Sequence, residues 1–392
     1  MRRFYRSFLV LFLVLALALL GLGVLFPADT GDLNRRPVPY PDVRADRLFD
    51  AGFYADLGEA LADRITARAF WRSLDAAIDY EVLRDTPSDR VVVGREDWLY
   101  YQPALDIERR PLSDAQETRS AMLSIASAAP TEIDFYFAFA PNKATIYPEY
   151  LPRRYRASRA GGDRNIDALR AALADGPGFV DLWSPMREAR RQNGPEPLVY
   201  FKRDTHWNGY GAAVAAEAIM DAIAPGLWDS SAIQPTDVRT DQQDLDRIAG
   251  LWRSFERETH SAVREGVTLE TTDMAADMAE LVHVWRASGQ AGAPVVNQKL
   301  VVIHDSFGTA LERLLPPYFR DTAFIHIDAL ASPEAHMAIR DADIVVMLLV
   351  ERKIYRMRPG SPLPPRRRSR ELQSLLESLD TAGAPKRKTG GP

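Results

Sequence analysis

Three runs of apolar side chains constrain this 392-residue chain more than any other feature of it. They are IDFYFAFA from Ile133, KLVVIH from Lys299 and DIVVMLLV from Asp343. A strand with one face in water alternates apolar and polar residues, whereas a strand apolar throughout is covered on both faces, as inside a parallel sheet. Shorter runs of the same kind are FVDLW from Phe179 and AFIHID from Ala323. Between them lie stretches of helical spacing, around residues 113–127, in the Ala-rich segment after His206, and over Thr309–Leu315. Strands alternating with helices predict an α/β, doubly wound sheet.

The flanks have a different character. Residues 8–26 are uncharged and apolar apart from glycines. As a helix they would rise about 28 Å, close to the hydrocarbon thickness of a bilayer. Arg2, Arg3 and Arg6 precede this run, and Asp29 and Asp32 follow it. The positive-inside rule then predicts an N-terminal signal anchor or transmembrane helix over 1–26, with the rest of the chain exported. A cleaved signal peptide competes with this, but no small-x-small cleavage site precedes Pro27. Residues 27–45, rich in Pro, Asp and Arg, read as a linker. The main domain is expected over 46–360. It begins with amphipathic helices to about Arg84 and a hairpin around RVVVGREDWLYY, and an insertion or cap spans about 225–298 with an acidic helix near 275–283. Residues 361–392 form a basic C-terminal tail led by Arg366, Arg367, Arg368 and Arg370. The net charge of −5 gives no reason to expect nucleic acid. With no cysteine, any nucleophile or metal ligand must be Ser, His, Asp or Glu.

Ser306 follows a buried strand and precedes Gly308 and a helix, so it sits at the carboxyl edge of the sheet, where open α/β sheets bind ligands. Free N–H groups of the 306–308 turn can stabilise an oxyanion there. A helix N-cap would explain the same serine. A serine hydroxyl needs a base, and the base needs an orienting group. Asp204-Thr205-His206-Trp207 offers both at the start of a helix, in a chain with six histidines. Asn142 and Lys143 end one buried strand, and Glu351 and Arg352 end another, at what should be the same edge. Local ion pairing explains these equally well. No spacing of His or Glu suggests a metal site, and no cofactor motif is present.

Taken together, VGREDWLYY at 93–101, PNKATIYPEYLP at 141–152, RDTHWNGYGA at 203–212, DSF at 305–307 and the strand ending at Arg352 resemble the alginate O-acetyltransferase (AlgJ/AlgX-like) family of SGNH-hydrolase-like proteins. The resemblance covers roughly residues 45–355. It implies an SGNH-hydrolase-like three-layer fold with a parallel sheet, and a catalytic triad of Asp204, His206 and Ser306. Asn142, Lys143, Arg352, Trp207 and Gly308 are the candidates for oxyanion or substrate binding. In ordinary SGNH hydrolases the serine comes first and the Asp/His pair last, so this chain resembles a circularly permuted form. Glu351-Arg352 falls where those enzymes carry an oxyanion asparagine, and His304 stands where a small glycine is common.

The implied function is transfer of acetyl groups to an exopolysaccharide or cell-envelope glycan through an acetyl-serine. The implied setting is the periplasmic face of the inner membrane, with a membrane-bound O-acyltransferase as donor partner. No cofactor or metal is called for. A carbohydrate acetyl esterase with the same triad and a non-catalytic scaffold of a polysaccharide secretion complex are the alternatives.

Overall fold

The computed structural model describes residue 14 and residues 39–353, except 43, 48–49, 63–72, 106–112, 159–161, 195–197, 273–281 and 291–292. The apolar run at 8–26, most of the linker, the basic tail and most of the acidic helix expected near 275–283 therefore lie outside the described residues. Among the described residues no helix is long and apolar enough to cross a membrane.

The chain divides into two compact units, Met1–Val93 with Asp244–Arg253, and Gly94–Gln243 with Ser254–Pro392. In the first, the helix Ala51–Ala62 buries Phe53 and Ala60. The π-helical turn Asp79–Leu83 buries Tyr80 and ends at Arg84 in the left-handed region. The Arg253 guanidinium lies 4.9 Å from the centre of the Tyr80 ring and pairs with Glu81.

The second unit carries the sheet. Its strands beyond the short segment Leu99–Tyr101 are β1 (Asp134–Ala140), β2 (Phe179–Val180), β3 (Ile233–Gln242), β4 (Ser254–Ala262), β5 (Val267–Thr272), β6 (Val282–Gly289), β7 (Val296–His304), β8 (Phe319–His326) and β9 (Ile344–Val350). Seven of them form one sheet in the order β2-β1-β9-β7-β8-β6-β5. The five strands β2 to β8 of that order run parallel, with β9 pairing Ile344 to Asp134 on one side and Ile344 to Leu300 on the other. The sheet is thus mixed, since β6 joins β8 antiparallel and β5 joins β6 antiparallel. Both of these strands come from the stretch read as an insertion. The outer one, β5, closes an edge and carries little apolar signal: in VTLETT apolar and polar residues alternate.

Every residue of β9 is buried, as are Leu300–His304 of β7. Because successive side chains point to opposite faces, this burial requires cover on both sides of the sheet. On one face Phe137, Ile303, Val345 and Met347 pack with Met122 and Ile125 of helix α1 (Ser113–Ala128), Leu173 of α2 (Gly162–Ala174) and Trp183, which opens α3 (Trp183–Asn193). Ala335 and Ile339 of the helix Pro333–Arg340 complete that layer. Helix α4 (Gly209–Ile223) buries Ala212, Ala215, Ala216, Ile219 and Met220. Strands β3 and β4 form a separate antiparallel ribbon. The segment after Ser306 is a 3-10 helix, Gly308–Arg313, rather than the α-helix expected from its spacing.

Candidate active site

The nucleophile turn is built on Asp305, at the end of β7. Its buried carboxylate accepts the Phe307 N–H at 3.0 Å and the Val350 N–H at 3.0 Å, and pairs with the Lys353 ammonium at 3.1 Å. Burial opposes its charge, but Lys353 and the two N–H donors outweigh that and lower its pKa. These bonds tie the turn to the end of the neighbouring strand and leave Ser306 exposed between buried neighbours. His304, next to it, is buried. Its Nδ1 lies 2.7 Å from the Asp305 carbonyl, which can only accept, so Nδ1 carries the proton. Burial pushes the His304 pKa down to about 4. A Cβ on Gly308 would fall on the His304 ring, so only glycine fits opposite this bulky neighbour.

The segment 198–209 is held by its own polar residues. Asn208 caps α4 by accepting the Gly211 N–H at 2.9 Å and donates to the Leu198 carbonyl at 2.6 Å. Lys143 is buried, and its ammonium donates to the carbonyls of Phe201, Lys202 and Asp204 at 3.2, 2.8 and 2.7 Å. The rings of Trp98 and Tyr100 flank the same ammonium at 5.6 and 5.4 Å. An ammonium has three protons, so these three bonds account for all of them.

The two segments meet at His206. Its Nε2 lies 2.8 Å from Ser306 Oγ, and its Nδ1 lies 2.7 Å from Asp204 Oδ1. That same carboxylate oxygen accepts the His206 backbone N–H at 3.0 Å. The other oxygen lies 3.4 Å from an Arg257 guanidinium nitrogen. Burial works against charge on Asp204, but the His206 bonds and Arg257 prevail and hold its carboxyl well below the usual carboxylate range. A charged carboxylate accepts from Nδ1–H, which leaves the Nε2 lone pair free for the serine hydroxyl.

Around this line the other expected residues take up distinct positions. Phe307 packs 4.8 Å from the His206 ring and edge-on to Trp207 at 5.1 Å, and Trp207 is buried. The Arg352 guanidinium lies 5.3 Å from the Phe307 ring centre and donates to Asn142 Oδ1 at 3.3 Å. Asn142 in turn gives its backbone and side-chain N–H to the buried Glu351 carboxylate at 3.0 and 3.1 Å. Glu351 also accepts from Thr145 Oγ1 and from Trp183 Nε1, each at about 2.9 Å. The Phe307 and Gly308 N–H groups, expected to face an oxyanion, are both committed to Asp305, to its side chain and to its carbonyl. The Ser306 N–H is the member of that turn with no partner among the described residues. A cavity of about 640 Å³ flanks the His206 segment, lined by Tyr200, Lys202, Tyr210, Phe255 and Glu258 among others.

Sequence reasoning gave no role to Asp305, Thr145 or Arg257. Asp305 stood in the quoted DSF motif, so its position was visible. Arg257 lies in a stretch of alternating charges, ERETH, with no signal of its own.

Part of the chain is similar to known proteins. Residues 91–283 match the profile described as the SGNH hydrolase-like domain of acetyltransferase AlgX, a span that includes Asp204 and His206 and ends before Ser306. A Pseudomonas putida protein called probable alginate O-acetylase AlgJ is 28% identical over 155 residues, covering 38% of this chain and 37% of the relative. Its Pseudomonas aeruginosa counterpart is 27% identical over 190 residues, covering 47% and 46%. This chain thus spans less than half the length of these curated relatives. Among solved structures, the O-acetyltransferase domain of P. putida AlgJ aligns with a TM-score of 0.44 at 19% identity, over 72% of this chain and 99% of that one. Bacillus cereus PatB1 with a sulfonyl adduct aligns with a TM-score of 0.47 at 15% identity, over 69% and 97%. Residues 91–283 are thus similar to the SGNH hydrolase-like domain of acetyltransferase AlgX, and parts of the chain are similar to the AlgJ proteins.

Proposed function

We propose that this protein is an O-acetyltransferase that moves acetyl groups to hydroxyls of an exopolysaccharide or cell-envelope glycan through an acetyl-Ser306 intermediate. The observation that carries the reading is the line of short contacts from Ser306 Oγ to His206 Nε2 and from His206 Nδ1 to Asp204. The acetyltransferase domain of the family and the names of the alginate O-acetylase relatives support it.

In this reading His206 Nε2 takes the proton of Ser306 as Oγ attacks the acetyl carbonyl carbon. Asp204 fixes the tautomer and stabilises the imidazolium that forms. The Ser306 N–H donates to the developing oxyanion, and Arg352, whose guanidinium lies 5.3 Å from the Phe307 ring centre, is a candidate to add positive charge there. Collapse of the tetrahedral intermediate returns the proton to the leaving group. A sugar hydroxyl, deprotonated by His206, then takes the acetyl from the serine.

The strand order supports a circular permutation. Counted from the serine strand as β7, β8, β9, β1, β2, the parallel core has the spatial order 2-1-3-4-5 of a doubly wound sheet. We further propose that residues 8–26 anchor the chain in the inner membrane with the domain in the periplasm, where a membrane-bound O-acyltransferase supplies the acetyl group. The apolar run and its flanking charges support this.

The test is product analysis with the full chain, 4-nitrophenyl acetate and a panel of oligosaccharides. Acetylated sugar that disappears in Ser306→Ala is expected. Acetate without acetylated sugar would make the protein an esterase. Wild-type release no faster than Ser306→Ala would leave a non-catalytic scaffold.

A further inference from the structure

The ribbon of β3 and β4 has no part in the sheet, yet one side of β4 lies along the segment that carries Asp204 and His206. Phe255 and Arg257 are two apart, so they face the same way. The contacts there are reciprocal: the Arg203 guanidinium of the segment lies 5.4 Å from the Phe255 ring centre, and the Arg257 guanidinium of the ribbon lies 4.8 Å from the Phe201 ring centre. Further along β4, His260 closes against Gly209, where a Cβ would fall on its ring. The ribbon is therefore docked along the whole stretch from Phe201 to Gly209.

At the centre of this contact Arg257 reaches Asp204. The carboxylate is 1% exposed, with Oδ1 on His206 and Oδ2 3.4 Å from the guanidinium, whose side chain is 33% exposed. A carboxylate held at one oxygen can still swing about its χ2 bond. The Arg257 contact at Oδ2 adds a restraint on that rotation to the His206 bonds at Oδ1, in the orientation that aims Nε2 at Ser306.

We propose that Arg257 is a positioning residue of the Ser306–His206–Asp204 site, so that the ribbon completes the catalytic constellation instead of merely covering it. The proposal rests on the acetyl-transfer reading above for its kinetic arm and on geometry for the rest. A guanidinium suits the role because it stacks on Phe201 and pairs with a carboxylate at the same time; an ammonium at this position keeps the charge and loses the stacking.

The experiment measures the rate of Ser306 acetylation by 4-nitrophenyl acetate in the full chain. Arg257→Gln should slow acetylation about tenfold, the equivalent of one partly screened charge contact, with KM for the ester nearly unchanged. Arg257→Lys should recover part of the loss. In an Asp204→Asn background Arg257→Gln should cost nothing further, because its effect passes through that carboxylate. Arg257→Gln at the wild-type rate, or the same loss in both backgrounds, overturns the proposal. A Lys variant no better than Gln assigns the effect to packing on Phe201 and overturns the electrostatic role. The low-field proton NMR signal of His206 Nδ1–H reads the Asp204 bond without turnover. It should shift upfield or exchange away in Arg257→Gln and persist in Arg257→Lys. That result in a protein that never acetylates Ser306 would sink the transferase reading and leave the positioning role standing. An unchanged signal overturns the role whatever the enzyme does.

Discussion

Gly308 and His304 share one small volume beside the nucleophile. A glycine is common before Asp-Ser in SGNH hydrolases, and here the bulk sits at His304 while the space is left at Gly308. Gly308→Ala should therefore overpack the turn, costing roughly 1–3 kcal/mol and most of the acetylation rate. His304→Gly should restore both in the double variant, as measured by thermal unfolding and esterase assay; a double variant no better than the single one would mean that the clash lies elsewhere. At this scale the three residues were legible only together. A serine at a strand end and an Asp-x-His at a helix start each have an ordinary structural explanation; the family resemblance joined Asp204, His206 and Ser306, and the structure brings them within hydrogen-bond distance. Burial was not legible. Lys143 reads as a polar strand end that could reach a ligand, yet the fold turns it inward onto three carbonyls. Asn142, likewise, is engaged by Glu351 and Arg352. Sequence shows residue type at a position, but not which way the side chain is satisfied.

The segment 201–209 is the element on which the site depends, and it has little regular structure of its own. Lys143 and Asn208 hold its backbone from opposite ends. Lys143→Met keeps the apolar stem but takes the ammonium away from the Phe201, Lys202 and Asp204 carbonyls. It should lower stability by roughly 2–4 kcal/mol and slow acetylation more than a surface change of equal destabilisation. Denaturant titration beside single-turnover kinetics checks both; full activity in a stable Lys143→Met protein would contradict this account of the segment. The ribbon β3–β4 and the antiparallel strands β5 and β6 were the least legible elements. The charged residues of β3 and β4 and the short polar-interrupted stretches of β5 and β6 carry neither the apolar run of a buried strand nor the 3.6 period of a helix, so the sequence reads there as an insertion without internal shape. The central strands were legible for the opposite reason: Ile344–Val350 is apolar throughout and buried throughout.

For the molecule as a whole, the sheet brings together two halves of the site that stand 100 residues apart, His206 before Ser306. The same buried groups set the response to acid. His304 has a folded pKa of about 4, below its ordinary 6.5, so the unfolded chain takes up that proton first. Stability should fall as pH drops from about 6.5 to about 4 and then show no further loss from this group. Asp204 and Asp305 have depressed folded values, so their contribution is complete above the ordinary 3.8 and is lost below it. Chemical unfolding across this range should show both limbs, and His304→Gln should remove the first alone; a wild-type curve flat from pH 7 to 4 would contradict the burial of a neutral His304.

The most direct measurement is the intact mass of the full chain after brief exposure to 4-nitrophenyl acetate, followed by peptide mapping. The account predicts one acetyl group on Ser306 in the wild type, absent in Ser306→Ala and in His206→Ala, and discharged when a sugar acceptor is added. A wild-type chain that stays unmodified, or an acetyl group that persists in Ser306→Ala at the same rate, would contradict it.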